Sequence, residues 1–286
     1  MKYFKIFLFI LIFILSVSCS VSDEDENGTD DNGTNLHEES LIINHLSTNL
    51  SSIPDEWIRK AKETIKVHYC HTSHGGQIIE GLERLMNGNF LNSSIQGSKY
   101  NFYYDNCNMP DTTDYLSMMD GQYTNNYCET YVTPDLYWDS ENAMNITRNM
   151  INAHDINVSA FAWCTQMDYY SSSKVEDYLK KMTQLEKEFP NITFIYMTGN
   201  AQSPEQNRYD RNNQIRDYCK ANKKILFDFA DLDCWYNGQQ YTENGIPMEH
   251  PHYHGDEAAH TTYESCENKA KAFWWLMARL SGWDGK

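Results

Sequence analysis

The first candidate for chemistry is Ser73, which lies in the run HTSHGG between His71 and His74. Apolar and β-branched residues precede this run from Ile65 to Cys70, and apolar residues at helical spacing follow it. The pattern predicts a strand, a tight turn and a helix. Glycine permits sharp backbone curvature, and the first N–H groups of a helix have no partner inside it. Ser73 is therefore well placed to be a nucleophile, although a helix-capping serine would occupy the same position.

A serine nucleophile needs a base, an acid that orients the base, and donors for the oxyanion. We predict His260 as the base and either Glu257 or Asp256 as the acid, because each carboxylate lies within one loop of the imidazole. The predicted oxyanion donors are two backbone N–H groups and one side-chain amide, from Ser73, Gly121 and either Gln166 or Asn200.

Neighbouring side chains have less specific predicted roles. His71 and His74 are expected to bind substrate or shape the site rather than act as bases. Tyr123 and Tyr127 belong to a tyrosine-rich stretch that could stack on sugar rings. Metal binding by the histidines of residues 250–260, or by the three aspartates of residues 228–233, is a weaker alternative, because histidine and strand-end aspartate have commoner uses. We predict no metal and no other cofactor.

Strands and helices are predicted to alternate along the chain. The predicted strands are Ile65–Cys70, Tyr100–Tyr104, Val158–Trp163, Ile192–Met197 and Ile225–Phe229. The predicted helices are a short one within Leu41–Lys62, the helix after Ser73, and Ser140–Asn152, Lys174–Phe189, Pro204–Ala221 and Lys269–Leu280. Asp105–Pro134 is predicted to be a long irregular loop. This alternation predicts one α/β domain over residues 41–286, with a mostly parallel five-stranded sheet between helices on both faces. Ligands would then bind beyond the carboxyl ends of the strands.

The N-terminal segment is predicted to direct export. Residues 1–18 carry two lysines and then a short apolar run, which is typical of a cleaved signal peptide. The run LSVSC resembles a bacterial lipobox, so Cys19 is expected to be lipidated and to anchor the protein in the outer membrane, facing the cell surface. Residues 20–40 contain eight acids and no Lys or Arg, which predicts a solvated tether. The formal net charge of −17 argues against nucleic-acid binding.

Seven cysteines follow Cys19, an odd number, so at least one of them must lack an intramolecular partner. Export makes disulfides permissible. Cys107 with Cys128, and Cys234 with Cys266, are the predicted bridges, because each would close a long irregular loop.

The chain also resembles the SGNH (GDSL-like) hydrolases over roughly Ile65–Trp283. The turn HTSH stands where that family has Gly-Asp-Ser-Leu, and Glu257-Ala258-Ala259-His260 stands where it has Asp-x-x-His. Gln166 takes the place of the family's asparagine after the third strand, and Gly199-Asn200 follows the fourth strand, one strand late. The resemblance implies a flavodoxin-like three-layer α/β/α sandwich with Ser73 as nucleophile and His260 as base.

The function implied by the resemblance is ester hydrolysis, with an acylated glycan as the expected substrate. A non-catalytic protein that binds glycans on the same fold is the alternative, because a fold does not fix a function. Hydrolysis of a simple ester that depends on Ser73 would distinguish the two hypotheses.

Overall fold

The computed structural model describes residues 39–88 and 97–286. The predicted signal peptide (1–18), the lipidation site Cys19 and nearly all of the predicted tether (19–40) lie outside the described residues. The described residues belong to one compact unit, Thr34–Lys286. In this part of the chain, no helix is both long enough and apolar enough to cross a membrane.

Strands and helices alternate through most of the described chain. The strands are β1 (Leu41–Ile43), β2 (Lys66–His71), β3 (Phe102–Asn106), β4 (Leu116–Asp120), β5 (Gln122–Thr124), β6 (Tyr127–Glu129), β7 (Val158–Ala162), β8 (Thr193–Met197), β9 (Ile225–Phe227), β10 (Trp235–Tyr236), β11 (Gln239–Gln240), β12 (Thr242–Glu243) and β13 (Ile246–Pro247). The α-helices are α1 (Asp55–Thr64), α2 (Gly76–Asn87), α3 (Pro134–Tyr137), α4 (Glu141–Ala153), α5 (Ser172–Glu188), α6 (Gln206–Ala221), α7 (Phe229–Cys234) and α8 (Tyr263–Leu280).

The central sheet has seven strands in the order β1-β9-β8-β7-β2-β4-β3, and every neighbouring pair is parallel. Helices flank this sheet in two contacting groups: α8 contacts both α1 and α2, and α5 contacts both α4 and α6. The predicted three-layer α/β/α sandwich is therefore confirmed. Its inner strands β4-β2-β7-β8-β9 follow the 2-1-3-4-5 order of flavodoxin-like folds when they are counted along the chain.

The sheet has two more strands than the predicted five. β1 is only three residues long and lies in the segment Leu41–Lys62, where we predicted a short helix but no strand; that helix is α1, which begins at Asp55. β4 lies inside Asp105–Pro134, so the prediction of an irregular loop there is wrong. The sequence of β4 is LSMMD, which contains no β-branched residue, yet all five residues are buried beside β2. Burial between neighbouring strands, rather than intrinsic propensity, determines this strand.

One of the two predicted disulfides is present. Cys107 and Cys128 form a bond that joins the end of β3 to β6. Cys234 and Cys266 are free and buried, so that predicted bridge is wrong. The Cys234 thiol donates instead to the carbonyl of Ala230 inside α7, while the backbone of Cys266 packs against Gly81 of α2. The two cysteines serve different helix contacts rather than a shared loop.

The strand order reverses between β2 and β7. From β2 the chain builds the β4 and β3 side of the sheet, and it then returns to place β7, β8 and β9 on the other side. In open parallel sheets such a reversal leaves a crevice at the carboxyl ends of the two strands, where ligands bind. The turns after β2 and β7 are therefore the expected location of a binding or catalytic site.

Candidate active site

The turn after β2 is held tightly against β7. Ser73–Gly75 form one turn of 3-10 helix that leads directly into α2. A side chain at Gly75 would place its Cβ 2.3 Å from His71 Cβ and 2.8 Å from Ala162 Cβ, so only glycine fits here. The Tyr69 hydroxyl donates to the Gly75 carbonyl at 2.8 Å from within the sheet. These contacts fix where Ser73 and His74 stand relative to the end of β7.

Cys164, which follows β7, meets this turn. Its Sγ lies 3.0 Å from Ser73 Oγ and 3.1 Å from His74 Nδ1. Ser73 and His74 are 91 and 90 residues away from Cys164 in sequence. The parallel pairing of β2 with β7 brings these residues together. We assigned no role to Cys164 from the sequence.

The environment of Cys164 favours the thiolate. Burial raises the pKa of its thiol, but hydrogen bonds from the His74 side chain and from Ser73, the charge of His74 and the His74 backbone N–H together lower it to about 7. Helix N-termini and neighbouring imidazoles characterise reactive cysteines. A large share of Cys164 is therefore ionised at neutral pH, whereas burial raises the pKa of the Cys70 and Cys234 thiols.

Two amide side chains fix the backbone around Cys164. Its N–H donates to Gln166 Oε1 at 2.7 Å, and its carbonyl accepts from Asn200 Nδ2 at 2.7 Å. Both were predicted oxyanion donors. Asn200 is already used in holding the loop, whereas Gln166 Nε2 donates no hydrogen bond within the described residues. Gly121, the third predicted donor, gives its N–H to the Tyr69 carbonyl at 2.9 Å and has none left for a substrate.

His74 is the base that the geometry offers. Its side chain is only 2% exposed, and while Nδ1 faces Cys164, its Nε2 is buried without a hydrogen-bond partner among the described residues. The His74 ring also contacts the ring of His260, with centroids 4.9 Å apart. The buried Nε2 needs a partner, because an unsatisfied polar atom in the interior is costly.

The predicted acid loop lies close by but is used differently. His260 is exposed and has a φ of 73°, and its carbonyl accepts from Gln202 Nε2 at 3.0 Å. Glu257 accepts from the Tyr263 N–H at 2.7 Å and so caps α8. Within the described residues, the His260 ring forms no hydrogen bond with Ser73, Glu257 or Asp256. The structure thus brings His260 to the site through His74, and it does not assemble the predicted triad.

Glu249 is a buried carboxyl group that the sequence prediction missed. Its side chain is 4% exposed and accepts from the Thr261 hydroxyl at 2.9 Å. Burial and the negative charge of Asp233 raise its pKa to about 7, against the opposing effects of Lys269, the Thr261 hydrogen bond and His74. His74 and Glu249 are therefore within electrostatic range of each other. No sequence motif surrounds Glu249, and only its neighbourhood to His74 indicates a role.

The ion pair between Asp233 and Lys269 stabilises the region around Glu249. Lys269 Nζ lies 2.7 Å from Asp233 Oδ1, and both residues are almost completely buried. Asp233 Oδ2 also accepts from the Ala201 N–H at 2.9 Å, and Lys269 donates to the Ser265 hydroxyl at 2.6 Å. The pair thus connects α7, α8 and the loop after β8.

An open cavity of about 480 Å³ adjoins the centre. Thr165, the residue after Cys164, lines it together with Glu249 and His260. Another wall is the ion pair between Arg208 and Asp168, in which both carboxylate oxygens face the guanidinium. The volume is within the range of small-molecule sites.

The remaining predicted binding residues lie at different depths. His71 stacks on Tyr69, its Nε2 lies 3.1 Å from Asp120 Oδ1, and its Nδ1 donates to the Thr72 carbonyl at 2.8 Å. His71 is thus held within the sheet. Tyr123 and Tyr127 lie on the β5–β6 hairpin with exposed rings.

Tyr169 and Tyr131 are two further exposed tyrosines, and Tyr169 lies within electrostatic range of Cys164. Their side chains are 69% and 53% exposed. Burial raises the pKa of the Tyr169 hydroxyl, and the charges of Cys164, Asp168 and Tyr131 contribute to the same shift. Tyr169 therefore belongs to the electrostatic surroundings of Cys164, and Tyr131 to those of Tyr169, while both side chains remain open to solvent.

No group of three or more His, Cys, Asp or Glu side chains within residues 39–88 and 97–286 is arranged to hold a metal ion. We found no protein-family model that matches the chain and no curated protein with a similar sequence.

Proposed function

We propose that this protein is an ester hydrolase that forms a covalent acyl intermediate on Cys164. One observation supports the proposal above all others. A half-buried thiol with a pKa of about 7 lies 3.1 Å from a histidine nitrogen, at the reversal point of a parallel sheet and beside an open cavity. Nucleophile and base within hydrogen-bond reach are the signature of covalent catalysis.

The mechanism follows from these contacts. The Cys164 thiolate, whose proton is held on His74 Nδ1, attacks the ester carbonyl carbon and forms a C–S bond. The tetrahedral intermediate then expels the alcohol, which takes the proton from His74. A water molecule gives a proton to His74 and attacks the thioester, so that the carboxylic acid leaves and the thiol is restored. Ester and water are consumed, and acid and alcohol are formed.

Charge on the carbonyl oxygen needs donors that are fixed before reaction. The Ser73 hydroxyl lies 3.0 Å from the sulfur. The Ser73 N–H begins the turn and so has no partner within it, whereas the Gly75 N–H donates to the Thr72 carbonyl at 2.9 Å. Gln166 Nε2 is the free side-chain donor on the β7 side. In this proposal Ser73 and Gln166 stabilise the oxyanion from the two strands that meet at the site.

Glu249 supplies the carboxyl group that orients His74. Its buried position, its electrostatic coupling with His74 and the unpartnered His74 Nε2 support this role. Glu257 and Asp256, the acids predicted from the sequence, are both exposed, and Glu257 is engaged in capping α8. A carboxyl group behind the base holds the imidazole in the orientation and tautomer that the reaction requires.

A second candidate is the SGNH-type serine esterase predicted from the sequence, with Ser73 as nucleophile and His260 as base. The contact between the His74 and His260 rings favours it, because this contact brings His260 to the same turn. Ser73 Oγ would have to leave Cys164 and meet the His260 imidazole. The two candidates share the reaction and differ in the atom that carries the acyl group.

An acylated glycan remains the proposed substrate. The strongly exposed large hydrophobic side chains of the described residues are mainly tyrosines; Tyr169 lies within electrostatic range of Cys164, and Tyr131 within that of Tyr169. Flat aromatic faces beside an open polar cavity suit sugar rings better than an extended apolar chain. Export and lipid anchoring through Cys19 are proposed to bring this site to the outer surface of a bacterial cell.

The test combines hydrolysis of p-nitrophenyl acetate with two selective reagents. We expect Cys164→Ala to reduce the rate by at least about 100-fold, since the nucleophile is lost, and iodoacetamide near neutral pH to abolish activity. Ser73→Ala should retain measurable turnover, and a fluorophosphonate probe should leave Ser73 unlabelled. Labelling of Ser73, with activity that survives Cys164→Ala, would overturn the thiol mechanism in favour of the serine one. Absence of hydrolysis together with glycan binding would support the non-catalytic alternative.

A further inference from the structure

A second cavity, of about 240 Å³, opens where β1 ends. It lies between the turn after β1, the β10–β11 hairpin and the first turns of α8, and we call it the His45 cavity after the residue at its wall. It shares no lining residue with the cavity beside Cys164. The segment of residues 249–253 reaches both cavities, since Tyr253 lines the His45 cavity and Glu249 lines the cavity beside Cys164.

One carboxylate organises a wall of this cavity. Asp231 accepts from the His45 backbone N–H at 2.9 Å, from His45 Nδ1 at 2.5 Å and from Trp235 Nε1 at 3.1 Å. The rings of His45 and Trp235 stack face to face, with centroids 3.9 Å apart and an interplanar angle of 11°. A carboxylate on Nδ1 fixes the tautomer and orientation of an imidazole. In the neutral imidazole, His45 Nε2 is then an acceptor, and it makes no hydrogen bond within the described residues.

The facing wall also has oriented groups with unused capacity. Glu264 Oε2 lies 2.6 Å from His252 Nε2, whereas Oε1 has no hydrogen-bond partner in the described part of the chain. His252 in turn stacks on Tyr236, with ring centroids 3.7 Å apart. Asn268 is held by a hydrogen bond of 3.0 Å to the Tyr253 hydroxyl. Two carboxylate–imidazole pairs therefore hold polar side chains around one small space.

A purely structural role explains only part of this arrangement. Asp231 ties the end of β1 to α7, which accounts for its three hydrogen bonds. It does not account for an unused His45 Nε2 in a cavity that Glu264 also lines. Polar groups that are held rigidly while retaining free hydrogen-bond capacity are typical of ligand sites.

We propose that the His45 cavity binds a single sugar residue. The free acceptors, His45 Nε2 and Glu264 Oε1, call for a ligand that donates, and hydroxyl groups do so without introducing charge. Asp231 and Glu264 disfavour anions. No metal-binding group of three ligands exists in the described residues. The volume is below the usual range for drug-sized ligands, which suits one ring rather than an oligomer. The inference does not depend on the reaction at Cys164.

The experiment titrates the purified protein with methyl glycosides of glucose, galactose, mannose, xylose and N-acetylglucosamine, using tryptophan fluorescence and saturation-transfer NMR. We expect at least one glycoside to bind saturably. Glu264→Gln and His45→Ala should each weaken that binding, by about tenfold where a hydrogen bond to a charged group is lost. Glu264→Gln changes only a single polar group, so it keeps the test informative if His45→Ala misfolds.

Two further variants serve as controls. Glu243→Gln lies on the exposed β12–β13 hairpin and should bind as the wild type does. Cys164→Ala should also bind normally, whereas it is expected to lose ester hydrolysis. The proposal is overturned if none of the five glycosides binds saturably, or if Glu264→Gln retains full affinity. It is also overturned if Cys164→Ala loses the binding, because the sugar would then occupy the other cavity.

Discussion

Three groups of one turn surround the sulfur of Cys164: the Ser73 hydroxyl, the His74 imidazole and the His74 backbone N–H. Each stabilises a negative charge, and together they outweigh the burial that would otherwise keep the thiol protonated. The other free cysteines of the described chain, Cys70, Cys219, Cys234 and Cys266, are fully buried. Reactivity is thus expected to be selective for Cys164.

The rate of alkylation by iodoacetamide should report the protonation state of the Cys164 thiol. We expect the rate at Cys164, followed by peptide mass spectrometry, to rise with pH around a midpoint of about 7. His74→Ala should move the midpoint towards the ordinary thiol value, by at least about one pH unit, because burial then acts with less opposition. His71→Ala, which removes the neighbouring imidazole that contacts Asp120, should leave it unchanged. A midpoint near the ordinary value in the wild type would contradict the assignment.

Glu249 should make stability depend on pH. Its pKa is about 7 in the folded protein and 4.5 ordinarily, so between these values the folded state keeps a proton that the unfolded chain has released. The free energy of unfolding therefore falls as pH rises through that window. Glu249→Gln cannot ionise, and we expect its stability relative to the wild type to increase by about 2 kcal/mol between about pH 5 and pH 8. Urea titrations measure this difference, and a difference that stays constant would rule out the buried, neutral carboxyl.

At the scale of elements, the close approach of the β2 turn to β7 creates the site. Much of this was predictable, because β2, β7 and β8 are largely apolar in sequence and the polar residues that follow each strand are evident. The edge strand β1 and the methionine-rich β4 were not predictable. β1 is only three residues long, and the sequence of β4 has no β-branched residue, so neither gives a local signal for a strand. Their pairing depends on neighbours that only the folded sheet provides.

Gly75→Ala tests the turn directly. The added Cβ would lie 2.3 Å from His71 Cβ and 2.8 Å from Ala162 Cβ, so the turn must move away from β7. We expect a loss of about 1–3 kcal/mol in stability and of at least about tenfold in ester hydrolysis, because His74 would no longer meet Cys164.

Gly88→Ala provides the matched control for this turn. A Cβ at Gly88 meets nothing within 4 Å, although its φ of 68° makes the substitution strained. It should lower stability by about 1 kcal/mol and leave kcat unchanged. Equal catalytic losses in the two variants would mean that the contact of the turn with β7 is not what positions the site.

At the scale of the whole molecule, the buried ion pair between Asp233 and Lys269 connects α7 and α8 near the site. Removing one partner of such a pair leaves an uncompensated charge in the interior. Lys269→Met should therefore lower the free energy of unfolding by about 3–5 kcal/mol, and the double variant with Asp233→Asn should recover part of that loss. Denaturant titration of the three proteins measures both effects. A loss below about 1 kcal/mol in Lys269→Met would show that the pair is solvated.

The site was harder to predict than the sandwich, for a physical reason. Ser73 and His74 stand in a recognisable turn, but the thiol that they activate lies about 90 residues away, and no spacing connects them. His260 was recognisable from its loop, yet the backbone around it directs Glu257 to α8 and leaves the imidazole against His74. Glu249 gains its significance only from burial beside Asp233 and Thr261. Proximity across strands, rather than sequence motif, defines this centre.

The most direct test of the nucleophile is to trap the acyl-enzyme. The purified protein is mixed with excess p-nitrophenyl acetate, quenched in acid during turnover, digested and examined by mass spectrometry. If Cys164 is the nucleophile, the acetyl group is found on the peptide that contains Cys164, and the adduct disappears in Cys164→Ala. An acetyl group on Ser73 that persists in Cys164→Ala would contradict the thiol mechanism and establish the serine instead.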